Sequence, residues 1–124
     1  MAILDHMIVP VADTEVSARF YADVFGFTTE GEDGPFTIVR VNSDTVLLLA
    51  PWGTEGGHHL AFALSPDQFE AAFMRIKDAG IPYGDSFHQV GNMTGPGEEF
   101  GARGMGAALY LFDPDKHLIE LRHY

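Results

Sequence analysis

The sequence predicts an α+β fold built from two βαβββ modules, and three observations lead there. Two histidines in β-prone stretches, His6 and His59, each precede a short amphipathic helix that ends in glycine, at Gly26 and Gly80. Each helix is followed by three β-prone stretches separated by turn-forming residues. Glu120 lies in the last of these, a carboxylate in the middle of an otherwise apolar strand.

In module one, Ile3 to Val11 is mostly apolar and β-prone. Asp13-Thr14 then offers N-cap chemistry to a helix with Val16, Phe20 and Val24 on one face, and Gly26 ends it. Strands are predicted over Phe27–Glu30, Phe36–Val41 and Thr45–Ala50, separated by Glu32-Asp33-Gly34-Pro35 and Asn42-Ser43-Asp44. Module two repeats the order. His59–Leu64 reads as a strand, and Ser65-Pro66-Asp67-Gln68 is a capping box with proline at the first helical position. Phe69, Ala72, Phe73 and Ile76 form the apolar stripe of that helix; Gly80 supplies its left-handed end and Pro82 prevents continuation. Strands are predicted near Tyr83–Val90, Ala107–Phe112 and Leu118–Arg122, with Asp113-Pro114-Asp115-Lys116 turning the last hairpin. The glycine-rich stretch from Gly91 to Gly106 is long for a structureless connection, which predicts a functional loop or lid.

The modules run over about 1–52 and 58–124 and meet in Pro51 to Gly57. We read 1–124 as one domain, because a domain commonly takes about 100 to 200 residues and neither half alone buries enough surface. A hydrophobic fraction of 46% supports a folded globule, while 18 acidic against 7 basic residues give a formal charge of −11. That charge repels phosphate backbones and anionic membranes, so neither nucleic acid nor a membrane surface is an expected partner. The start, MAILDHMIVPVAD, lacks a basic segment and carries Asp5 and His6 within its apolar run, unlike a signal peptide or a membrane span. A cytoplasmic location is the expectation. With no cysteine, there is no thiolate ligand or thiol nucleophile, and any metal must be held by His and carboxylate.

The repeat chooses between two adjacent histidines. His6 lies 20 residues before Gly26 and His59 lies 21 before Gly80, with His58 one further away. His59 is therefore the counterpart of His6. Strand alternation keeps His58 and His59 from facing the same interior, and it places Leu118, Glu120 and Arg122 on one face of the last strand. Taken singly, each residue has an ordinary reading: His6 as a hydrogen-bonded core histidine, His59 as a loop residue, Glu120 as a partner of Arg40 or Arg122. Taken together, two histidines at equivalent points of a repeat and a mid-strand glutamate favour a metal triad.

Three segments, LDHMIVPVADTEVSARFYADVFGF, HLAF and ALYLFDPDKHLIEL, give the chain its resemblance to the vicinal oxygen chelate superfamily. That superfamily includes glyoxalase I, extradiol ring-cleaving dioxygenases, fosfomycin-modifying thiol transferases and bleomycin-binding proteins. The resemblance covers essentially the whole length and implies two βαβββ modules forming a cupped mixed β-sheet around one divalent metal. The matching ligand positions are His6, His59 and Glu120. Two departures stand out. Lys116 replaces the usual glycine of the last hairpin turn. The fourth ligand that glyoxalase I takes from the last strand of module one has no carboxylate counterpart in Thr45–Ala50, where Leu47 is assigned to that position. Two histidines and one carboxylate with open positions suit Fe or Mn, with Ni or Zn as alternatives.

Tyr110 matches a tyrosine of the dioxygenases and thiol transferases whose hydroxyl points at the bound substrate, which implies hydrogen-bond donation or proton transfer. A packed strand tyrosine is the alternative. The histidine that extradiol enzymes carry just upstream is missing; Arg103 could bind an anionic substrate group or be a solvated loop arginine, and His88 could be a second base or a surface histidine. The resemblance therefore implies a metal-dependent enzyme acting on a small oxygen-chelating substrate, extradiol-dioxygenase-like in first place. A glyoxalase-like lyase or isomerase, or a thiol transferase, follows. The alternative of another class is a non-catalytic antibiotic-binding protein. The resemblance also implies a homodimer, with the site within one chain or shared between two.

Overall fold

The computed structural model describes all residues from 1 to 124. The chain divides into two compact units, Met1–Glu55 and Gly56–Tyr124, at a point inside the stretch that joins the two modules. No helix is long and apolar enough to cross a membrane.

The first unit contains β1 (His6–Pro10), α1 (Thr14–Phe25), β2 (Thr28–Asp33), β3 (Phe36–Arg40) and β4 (Val46–Ala50). The second contains β5 (His59–Ala63), α2 (Pro66–Asp78), β6 (Gly97–Gly101), β7 (Gly104–Phe112) and β8 (Leu118–His123). Each unit is thus one βαβββ module with its own four-stranded sheet, ordered β1-β4-β3-β2 in the first and β5-β8-β7-β6 in the second. The first and last strands of each module pair in parallel and the other pairs are antiparallel. Parallel neighbours need a long crossover rather than a hairpin, and the helix of each module lies in that crossover.

Local chemistry explains where the helices begin and end. Asp13 accepts the backbone N–H groups of Glu15 and Val16 at 2.9 and 3.2 Å, and Gly26 closes α1 at φ 75°. For α2, Ser65 accepts from the Gln68 backbone at 3.2 Å while the Gln68 side chain accepts from the Ser65 backbone at 3.0 Å. The reciprocal box satisfies two donors that a helix start would otherwise leave orphaned. Phe69, Ala72 and Ile76 are buried on α2, and Phe73 is half-buried. On α1 the buried stripe is Ser17, Ala18, Tyr21 and Val24, so the predicted face is rotated and Val16 is exposed. Alternation does the rest. Val9, Val39, Leu47 and Leu49 share one buried face of the first sheet, and Ile119, Leu121, Leu109 and Leu111 one of the second.

Two sequence expectations are corrected in the second unit. Tyr83–Val90 is not a strand; it contributes one isolated bridge, Gly84 to Tyr110. The strand lies instead inside the stretch expected to be a loop or lid: β6 and the start of β7 occupy half of Gly91 to Gly106, paired from Gly97↔Ala108 to Gly101↔Gly104. At Gly95, Gly97, Gly101 and Gly106 glycine is required because neighbours approach closely, and at Gly91 and Gly104 because φ is positive. A Cβ at Gly97 would lie 2.4 Å from the Asp85 carbonyl oxygen. Such packing marks a strand against which other backbone is pressed.

The last hairpin turns on Asp113, which accepts the backbone N–H groups of Asp115 and His117 at 2.9 Å each. Lys116 takes φ 65° there, a left-handed conformation that a side chain disfavours. Lys116→Gly is expected to stabilise the protein by about 0.5–1 kcal/mol, since relief of that conformation exceeds the added chain entropy of glycine. A thermal melt that moves down instead would show that the lysine side chain contributes more than its backbone costs.

Candidate metal and substrate site

Register in the second sheet gathers the chemistry. Parallel pairing aligns Ala61 with Glu120 and His59 with Leu118, while antiparallel pairing aligns Tyr110 with Glu120 and Ala108 with Arg122. On β6, Glu99 lies opposite Gly106. Because side chains alternate, His59, Glu120, Arg122, Tyr110 and Glu99 all project from one face. The small Ala61 stands between His59 and Ala63 on that face and leaves room beside Glu120. His59 Nε2 is 3.0 Å from Glu120 Oε1, and Arg122 Nη1 donates to Glu120 Oε2 at 2.7 Å. The Glu120 and Arg122 side chains are 7% and 4% exposed, whereas that of His59 is 51% exposed. A buried carboxylate thus meets an imidazole that is open to solvent.

Tyr110 is buried, which pushes its hydroxyl up to about 12, helped by the negative charges of Glu120 and Glu99 and by a hydrogen bond with Glu120, and opposed by Arg122. It therefore stays protonated across the neutral range and can donate a hydrogen bond. The group is a proton holder and not a phenolate.

The first unit holds a sparser version of this face. His6 Nδ1 is paired with Asp5 Oδ2 at 2.8 Å, which leaves Nε2 uncommitted on a half-exposed ring. The strand pairs His6↔Val46, Ile8↔Leu48 and Ile38↔Leu48 mirror those around His59. Where the second unit has Glu120 and Tyr110, the first has Leu48 and Ile38. Leu47, assigned above to the fourth ligand position, faces the opposite side with Met7 and Val39; a one-residue difference in register reverses the face, and Leu48 is the true counterpart. A groove of about 440 Å³ in this unit, lined by residues such as Thr14, Arg19 and Thr37, lies on the α1 side of the sheet and contains no histidine.

The other sequence candidates stand apart from the gathered groups. Arg103 is exposed in the β6–β7 turn, where its backbone N–H donates to Tyr124 Oη at 3.2 Å and its guanidinium lies 5.0 Å from the Tyr124 ring. His88 is exposed and its ring lies tilted against that of Phe87, centroids 3.8 Å apart, and the Phe87 ring is 6.4 Å from that of Tyr110. His58 turns to His117, whose Nδ1 accepts its backbone N–H at 3.1 Å. Sequence reasoning treated Arg122 only as a possible partner and passed over Glu99. Their signal was the alternation itself, Glu120 and Arg122 being two apart on one strand.

The donor chemistry fits a divalent ion that takes nitrogen and oxygen. His59 Nε2 and Glu120 Oε1 converge, Glu120 Oε2 is already committed, and the Asp5 carboxylate engages the far nitrogen of His6 in the way that orients ligating imidazoles. Neither unit by itself gathers three His, Asp or Glu side chains: the second brings His59 and Glu120 together, and His6 belongs to the first.

Residues 3–121 match the model of the Glyoxalase/Bleomycin resistance protein/Dioxygenase superfamily. The chain is similar to virulence protein STM3117 of Salmonella typhimurium, with 28% identity over 130 residues that cover 98% of this chain and 83% of that protein. Among solved structures, oxidase ChaP-H2 superposes with a TM-score of 0.83 at 30% identity, covering 99% of this chain and 94% of that one. Oxidase ChaP-H1 gives 0.82 at 28%, covering 100% and 97%.

Proposed function

The chain belongs to the glyoxalase/bleomycin resistance protein/dioxygenase superfamily, and on that premise we propose that it is a metal-dependent enzyme acting on a small molecule with two adjacent oxygens, by oxidation of the extradiol-dioxygenase type. The observation that carries this reading is the convergence of His59 Nε2 and Glu120 Oε1 at 3.0 Å on the same face as Tyr110. The two oxidases among the structural relatives favour oxidative chemistry over the lyase and transferase alternatives.

His59, Glu120 and His6 would hold iron or manganese, His6 coming from the same chain or from a second copy in a homodimer. When bound, such an ion polarises and orients substrate oxygens as a Lewis acid. Tyr110 would donate its proton in a hydrogen bond to a substrate oxygen, a role that its upward-shifted ionisation permits at neutral pH. His59, more than half exposed, would stand at the entry, while Glu120 and Arg122 form the dry floor.

The test is oxygen uptake by protein loaded anaerobically with Fe(II) and offered a panel of catechols. Stoichiometric uptake with ring cleavage is the expected result; no consumption with any catechol would remove the dioxygenase assignment. A monomeric sedimentation profile with metal bound would rule out a shared-site dimer.

A further inference from the structure

We propose that Arg122 is the positioning residue of this site: its guanidinium holds Glu120 by one oxygen and so presents the other, Oε1, to His59. The inference rests on the reading of His59 and Glu120 as a working pair. Arg122 is 3% exposed and makes three donations with two nitrogens: Nη1 to Glu120 Oε2 at 2.7 Å and to the Phe100 carbonyl at 3.3 Å, and Nη2 to the Glu99 carbonyl at 2.8 Å. The guanidinium is thereby fastened to the backbone of β6, and through it the carboxylate of β8 is fixed relative to that strand.

The surroundings are shaped for this group. A Cβ at Gly101 would lie 2.3 Å from the guanidinium carbon and one at Gly106 would lie 3.2 Å from Nη2, so glycine on both strands leaves the space that the planar head fills. Tyr124 covers it at 4.7 Å. Nε has no partner and lies against Gly101, where a Cβ would come within 2.5 Å of it. Fold stability does not account for such an arrangement, because a buried ion pair commonly contributes no more than apolar residues of the same volume. Orientation does. A carboxylate with both oxygens free can rotate and offer two acceptors, whereas one gripped by a rigid fork offers a single acceptor in a fixed direction.

The experiment compares the imidazole ¹⁵N shifts of His59 in metal-free protein for the wild type, Glu120→Gln, Arg122→Ala, Arg122→Lys and Gly101→Ala. Loss of the grip is expected to move the His59 shifts in Arg122→Ala toward those of Glu120→Gln. Added guanidinium ion, which fits the planar space, is expected to restore them, and methylammonium is not. Gly101→Ala, which displaces the head without removing its charge, should act in the same direction. A separate titration with Co(II) alone should show affinity about 10- to 100-fold weaker in the Arg122 variants. His59 shifts that stay at their wild-type values in folded Arg122→Ala or, if that variant does not fold, in both Arg122→Lys and Gly101→Ala, would overturn the proposal. Failure of Co(II) to bind the wild type would overturn the metal reading instead, and the metal-free shifts would still decide the role of Arg122.

Discussion

Glu120→Ala is expected to destabilise the protein by about 3 kcal/mol and to abolish tight binding of a divalent ion. The stability loss follows from what remains behind. Arg122 is buried and its shortest hydrogen bond is the 2.7 Å bond to Glu120, so removing the carboxylate leaves a desolvated cation with two backbone carbonyls and the face of Tyr124 but no counter-charge. Breaking a buried pair in this way typically costs about 3–5 kcal/mol, and the two carbonyl acceptors place this case at the lower end. Glu120→Gln keeps the shape and an acceptor oxygen while losing the charge, and is expected to fall between the two. Urea denaturation measures the first effect, and metal content per chain after anaerobic reconstitution measures the second. One tight metal per chain in the wild type and none in the variant is the expected result. Equal, weak binding by both would make the histidines structural and turn attention to a metal-free ligand cleft.

Tyr110→Phe is expected to lower kcat by at least about 100-fold, the usual contribution of a positioned proton donor, and to destabilise the fold at neutral pH by about 1–2 kcal/mol through loss of the hydroxyl's hydrogen bond with buried Glu120. Its strand pairing is unaffected and the aromatic ring still fills the same space. An unchanged kcat would reduce Tyr110 to a packed strand residue. The hydroxyl also leaves a signature in alkali. An unfolded tyrosine ionises near its ordinary value of 10, but in the folded protein burial pushes Tyr110 up to about 12. Between those values the unfolded chain releases the proton first, so folding stability is full below pH 10 and falls as pH rises toward 12. The phenylalanine variant lacks this term. Its stability relative to the wild type should therefore improve from pH 10 to 12, with other titrating groups common to both proteins and cancelling in the difference. A constant difference across that range would mean that Tyr110 ionises normally.

Much of the fold could be read from short stretches of chain because the responsible forces are local. The capping box at Ser65 and Gln68, the glycine after α1 and the Asp113 turn are settled among neighbours a few residues apart, and the structure contains each of them. Strand parity put Leu118, Glu120 and Arg122 on one face, and the repeat of histidine, helix and glycine selected His59 over His58. The βαβββ order followed from these features. Long-range pairing governed the remainder. β6 escaped detection because its glycines look like a flexible loop in isolation and become strand residues only when Asp85, Arg122 and the backbone of β7 press against them. The face of α1 was misjudged at Val16 because which stripe is buried depends on the sheet beneath it. Leu47 exchanged roles with Leu48 for a similar reason, since a single step of register between β1 and β4 turns a side chain from one face to the other. The grip of Arg122 on Glu120, and the placement of Tyr110 beside both, likewise arise from the alignment of three strands distant in sequence. Local propensity determines where most of the elements form, but hydrogen-bonded register decides which side chains meet and, at β6, whether a strand forms at all.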